Sequence, residues 1–146
     1  MLRAPVDTNV LVSGITTPFE NGSCFDVFKS IVNGGFCFLT SIETQRELVE
    51  ALSSMRFTEK LAARKIVISE ICKLLETMSK VVKSDKIELP VIVRDVTDQK
   101  FLELAITGDA DYFVTNDKKH LLPLKKIGRT KIVTPHKFMM ALNATR

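Results

Sequence analysis

Leu2-Arg3-Ala4-Pro5-Val6 runs directly into Asp7-Thr8-Asn9, and Tyr112-Phe113-Val114-Thr115 runs directly into Asn116-Asp117. Each is a short, mostly apolar run of the kind that forms a buried strand, and polar residues that turn the chain close it. In an open parallel sheet, ligands bind at the carboxyl ends of strands, where the chain turns toward helices. An acid in that place faces the crevice, so Asp7 and Asp117 are candidate site residues. Carboxylates gathered in one crevice repel each other and stay ionised together only around a cation.

Outward from these runs, strand-like and helix-like segments alternate. Asn21-Gly22-Ser23 caps a helix through Val32, which Asn33-Gly34-Gly35 closes. Phe36 to Thr40 reads as a buried strand. Ser41 caps a helix from Ile42 to about Met55, with Ile42, Leu48, Val49, Leu52 and Met55 predicted on one apolar face. A single long amphipathic helix is predicted from Thr58 to Met78. Val81 to Lys83 and Pro90 to Val93 read as brief extended pieces around a turn at Ser84-Asp85-Lys86. A helix begins near Asp98 and ends at Gly108. After the strand at Tyr112 come a basic loop, a last strand at Lys131 to Val133, and a helix capped by Thr134 with Pro135 at its first position. The pattern predicts one domain, residues 1–146, of α/β class with a mostly parallel sheet. Pro5 removes a ladder N–H from what should be a central strand, which predicts a first strand that is short or bulged.

The chain has 146 residues, of which 45% are hydrophobic and 26% charged, enough for one core. No apolar run approaches the roughly 18 residues needed to span a bilayer, and Asp7 interrupts the stretch that could imitate a signal peptide. A soluble, cytoplasmic protein is expected. Cys24, Cys37 and Cys72 are odd in number and widely spaced, which suits neither a disulfide framework nor zinc, and His120 and His136 are too isolated to add ligands. The net charge of +4 decides little alone. With four acids neutralised by metal, 13 of the 17 acids would remain against 21 Lys and Arg, leaving a surface of about +8 that attracts polyanions.

Each candidate acid also has a structural reading. Asp7 is a good helix cap, and Asp117 a good turn residue. Asp98 lies three and four residues before Phe101 and Leu102, which places it on their core-facing side, although an acid in a first helical turn also suits the helix dipole. Glu47 lies toward the polar margin of its helix, and periodicity does not separate it from Glu43 or Glu50. Asp95, Asp109 and Asp111 read as loop residues. Lys118, Lys119 and His120, with Lys125, Lys126, Arg129 and Lys131, would ordinarily be a solvated face. Their position beside Asp117 makes phosphate contact a candidate role.

Taken together, Asp7-Thr8-Asn9-Val10-Leu11-Val12-Ser13, Glu47-Leu48, Arg94-Asp95-Val96-Thr97-Asp98-Gln99-Lys100-Phe101-Leu102 and Asp111-Tyr112-Phe113-Val114-Thr115-Asn116-Asp117 resemble the PIN-domain family over nearly the whole chain. The likeness is greatest to the branch containing toxins of VapC-like toxin–antitoxin pairs. It implies a three-layer α/β/α fold with a mostly parallel central sheet. It also implies an acidic quartet of Asp7, Glu47, Asp98 and Asp117 that binds Mg²⁺ or Mn²⁺, with Asn9, Thr115 and Asp95 in support.

The activity implied is a metal-dependent endoribonuclease whose products carry 5′ phosphate and 3′ hydroxyl ends. Arg94, Lys118 and Lys119 are candidates for guiding the RNA backbone. The resemblance further implies a small antitoxin partner and a homodimer. A non-catalytic RNA-binding module of the same shape is the alternative from another class. A third reading is a haloacid-dehalogenase-type phosphohydrolase, whose nucleophile motif resembles Asp7-Thr8-Asn9-Val10-Leu11, but Asn9 stands where that motif needs a second Asp.

Overall fold

The computed structural model describes residues 1–17, 22–83, 87, 89 and 96–145. The sheet is built in two halves. Strands β1 (Arg3–Ala4), β2 (Cys37–Thr40) and β3 (Ser79–Val81) form a parallel sheet in that order. The other half has β4 (Tyr112–Val114) parallel to β6 (Thr130–Val133), and β5 (Lys126–Ile127) antiparallel to β6. The segment Arg3 to Asp7 joins them. Asp111 N–H donates to the Arg3 carbonyl at 2.8 Å, Val114 N–H to Pro5 at 3.1 Å, and Asp7 N–H to Val114 at 2.9 Å. Pro5 gives up a donor yet keeps its acceptor, so regular strand stops at Ala4 while Val6 still bridges Val114 in parallel.

Helices α1 (Thr8–Thr16), α2 (Gly22–Val32), α3 (Ile42–Leu52), α4 (Met55–Ala63), α5 (Ile68–Met78), α6 (Val96–Thr107) and α7 (Pro135–Ala144) complete a three-layer α/β/α fold. One core joins Val10 and Ile15 of α1 with Val27 and Ile31 of α2, Leu75 of α5 and Phe138 of α7. There Phe138 meets Phe36 edge to face at 4.8 Å. A second core joins Phe101 and Leu102 of α6 to Phe113, Leu121, Ile127 and Ile132, with Phe101 stacked on Phe113 at 5.5 Å. Burial on both faces explains why the strands read as continuous apolar runs.

The helix ends follow their side chains. Ser41 Oγ accepts from Thr44 N–H at 3.2 Å, and the Thr44 hydroxyl accepts in return from Ser41 N–H at 2.9 Å. Thr134 Oγ1 accepts from Lys137 N–H, with Pro135 at the first position of α7. Gly34, at φ 69°, lets Gly35 N–H close α2 on the Ser30 carbonyl at 2.8 Å.

Three expectations need correction. The long helix from Thr58 to Met78 is two helices: Lys65 takes φ 58°, and Ile66 N–H returns to the Leu61 carbonyl at 2.9 Å, which ends α4. This closure ordinarily selects Gly, so a Lys there gives no warning in the sequence. The predicted apolar face of α3 is also narrower. Leu48 and Leu52 are buried, whereas Ile42 and Val49 are 57% and 44% exposed. Finally, the basic loop holds more structure than expected, because Ile127 and Thr130 pair across a two-residue turn in which Gly128 adopts φ 56°. The piece at Pro90 to Val93 lies outside the described residues.

Gly14 sets how closely α1 and α2 approach, since a Cβ there would stand 2.5 Å from the Cys24 carbonyl oxygen. In an open helix, Gly→Ala would gain up to about 1 kcal/mol. Here a methyl must displace backbone, so we expect Gly14→Ala to lower stability by about 1–3 kcal/mol. The urea midpoint measures this, and a midpoint at or above wild type would contradict the close contact.

Candidate metal centre at the carboxyl edge of the sheet

Asp7 occupies the N-cap position of α1 with extended backbone, but its side chain makes no capping hydrogen bond. Its carboxylate accepts from the Thr115 hydroxyl instead, at 2.7 Å. Thr115 is fully buried, and its Oγ1 accepts from Asp117 N–H at 3.1 Å. One hydroxyl thus ties together the two acids that follow β1 and β4. The sheet register brings them there, because Asp7 N–H is bonded to Val114, the residue before Thr115.

Glu47 comes from the middle of α3. Its Oε2 accepts from the Thr8 hydroxyl, and its Oε1 lies 2.9 Å from the Lys100 ammonium. Asp98 enters from the first turn of α6 and is buried. Asp7, Glu47, Asp98 and Asp117 all line one cavity of about 450 Å³, together with Thr8, Asn9, Ala51, Phe101 and Asn116. Asn9 is exposed at its rim. Asp117 also organises the chain that follows it. Its Oδ1 accepts from Lys119 N–H at 3.0 Å and His120 N–H at 2.9 Å, which folds the loop that presents Lys118 and Lys119 to solvent. Arg94 and Asp95 lie outside the described residues.

Other acids serve the architecture. Asp111 accepts from Arg3 N–H at 2.9 Å and from Arg129 at 2.6 Å, at the opposite edge of the sheet. Asp109, with φ 51°, sits in the turn that follows α6. Two polar residues of the site escape a reading of the sequence. Thr8 lies between named residues without any pattern to mark its hydroxyl. Lys100, two residues after Asp98, falls off that acid's helical face and joins the site only because its long side chain reaches α3.

The acids feel one another. Burial first, then the charges of Asp98 and Glu47, push the Asp7 carboxyl from 3.8 to about 6, against the lowering effect of the Thr115 hydrogen bond. Oxygen donors crowded to this degree suit a hard divalent cation. Among the described residues, no three acid, His or Cys side chains already surround a common point. Mg²⁺ does not require that, since it keeps several waters and uses one or two carboxylates directly.

A mostly parallel sheet thus carries an acidic cavity at its carboxyl edge, lined by residues that follow β1 and β4 and by residues of α3 and α6. Residues 3–119 match the PIN domain family, and the chain belongs to it. Its fold is similar to a chain in the crystal structure of VapBC2 from Rickettsia felis bound to a DNA fragment from their promoter. The TM-score is 0.60 at 16% identity, covering 91% of this chain and 98% of that one. No curated protein matches the sequence.

Because folded Asp7 holds its proton more tightly than the unfolded chain does, this group costs stability as pH rises from about 4 through 6. The cost at pH 7.5 reaches at most about 3 kcal/mol. We expect Asp7→Asn to be more stable than wild type at pH 7.5 in EDTA, with the difference shrinking toward pH 4. Thermal melts across that range measure it, and a difference independent of pH would remove Asp7 from the repulsive cluster.

Proposed function

We propose that this PIN domain is a metal-dependent endoribonuclease that hydrolyses RNA phosphodiester bonds and acts as the toxin of a toxin–antitoxin pair. The observation that carries the reading is the single cavity onto which Asp7, Glu47, Asp98 and Asp117 open. Asp7 and Asp98 would hold the ion, Mg²⁺ or Mn²⁺, with Asp117 and Glu47 completing the acidic wall. A divalent ion held there would activate water for attack and stabilise the negative charge that develops on the phosphoryl oxygens and the leaving 3′ oxygen.

The protein's own groups orient this chemistry. Thr115 fixes the Asp7 carboxylate and, through the Asp117 amide, the start of the loop beyond β4. Phe101 and Ala51 give the cavity an apolar part that limits water around the acids. Lys118 and Lys119, exposed beside Asp117, would neutralise RNA phosphates without reading sequence. The similar Rickettsia felis chain belongs to a VapBC2 assembly. By analogy we assign a small antitoxin that covers the cavity.

Labelled single-stranded and hairpin RNAs, incubated with Mn²⁺, Mg²⁺ or EDTA, test the reading. Cleavage is expected only with metal, leaving 5′ phosphate ends, and Asp7→Asn should reduce it on the order of a hundredfold or more. Cleavage retained by that variant would overturn the assignment, and RNA binding without cutting would favour a non-catalytic module. Replacing Lys118 and Lys119 together by Ala should flatten the slope of log affinity against log salt by about 1.4, the share of two phosphate contacts on a single strand. An unchanged slope would remove both from the RNA path.

A further inference from the structure

Lys100 projects from α6 to α3, where its ammonium lies 2.9 Å from Glu47 Oε1, and the two side chains are 26% and 24% exposed. The other oxygen of Glu47 accepts from the Thr8 hydroxyl. Both oxygens are therefore engaged by donors of the chain itself. Ordinarily such a partly exposed pair is a minor surface contact that contributes about 0–1 kcal/mol. Its location gives it another meaning. Among the described residues, the charged groups lining the cavity are Asp7, Glu47, Asp98 and Asp117, and Lys100 brings a positive charge to that wall.

Two-metal phosphodiesterase sites hold their ions about 3.5–4 Å apart between shared carboxylates. An ammonium 2.9 Å from one carboxylate stands where a cation on that acid would stand. The lysine head group is a compact point charge with three donors, so it can neutralise a carboxylate much as an ion does. A divalent ion approaching Glu47 would have to expel Lys100 and separate Glu47 from Thr8, or else sit beside a like charge. On the other side, Asp7 and Asp98 are enough for one hydrated Mg²⁺ or Mn²⁺.

We infer that Lys100 takes the place of a second metal ion, holding Glu47 as its counter-charge and restricting the cavity to a single divalent cation. This rests on the metal-dependent reading above and gives it a stoichiometry. Lys100 is thus a positioning residue: it fixes Glu47 and completes the positive charge that the acids require.

Counting bound Mn²⁺ by the EPR signal of free Mn²⁺, on RNA-free protein, tests this without reference to cleavage. Wild type and Lys100→Arg should bind one ion. Lys100→Met should bind two, and adding Glu47→Gln to that variant should abolish the second. Thermal melts establish that each variant folds, and Lys100→Gln, which keeps a donor without the charge, repeats the count if methionine disturbs the fold. Two ions in wild type, or one ion in both neutral variants, would overturn the inference while leaving the metal site intact. No Mn²⁺ bound by wild type would sink the metal-dependent reading itself, and this inference with it.

Discussion

The stretch from Arg3 to Asp7 is the hinge on which both the sheet and the site depend. On one side β1 pairs with β2, and on the other the contacts of Arg3, Pro5 and Asp7 with Asp111 and Val114 join the two half-sheets. Side chains alternate faces with a period of two, so a slip of one residue would turn Val6 out of its core and carry Asp7 away from Thr115. The same register that closes the core therefore brings together the acids following β1 and β4. Pro5 can be accommodated because the backbone needs its carbonyl, not an amide, for the bond to Val114.

Stability and chemistry compete within the cavity. A core of this size could bury neutral residues at each of the four acid positions without electrostatic cost. The chain instead places Asp98 and Glu47 where their charge reaches Asp7, and holds Asp7 in a half-buried position where its ionisation is resisted. Such strain is tolerated where function needs it and is compensated by consistent packing elsewhere. The compensation is visible in both cores, in the Phe36–Phe138 and Phe101–Phe113 contacts.

Strands and caps were legible in the sequence because their causes are local. Ser41, Thr134 and Gly34 act on their own helix ends, and the apolar runs of β2 and β4 report burial on both faces. The PIN-like arrangement was legible because four separated motifs keep their order. What could not be read was either a local closure without its usual residue or a contact set by distance in space. The break at Lys65 is a left-handed closure without its usual Gly, and the exposure of Ile42 and Val49 depends on what α3 happens to face. Lys100 and Thr8 join the site through contacts between helices that neither spacing nor periodicity encodes. Glu47 could not be separated from Glu43 or Glu50 by pattern alone. In the fold it is the glutamate of α3 that lines the acidic cavity, tied there by Thr8 and Lys100.

The cations near the cavity divide into two kinds, and Asp117 explains the division. Lys100 is drawn inward by Glu47 and is only about a quarter exposed. Lys118 and Lys119 are exposed on a turn in which the Asp117 carboxylate spends one oxygen on the amides of Lys119 and His120. An acid of the cavity thereby shapes the basic rim. The consequence is that Asp117 belongs to the loop as much as to the acidic wall, and loss of its carboxylate disturbs both at once. Asp7 organises no such loop: its side chain makes no capping hydrogen bond, and its carboxylate accepts from Thr115 within the site. Asp7 is thus an acid whose ionisation the fold resists, held by a hydroxyl from the neighbouring strand end and not by the helix it precedes.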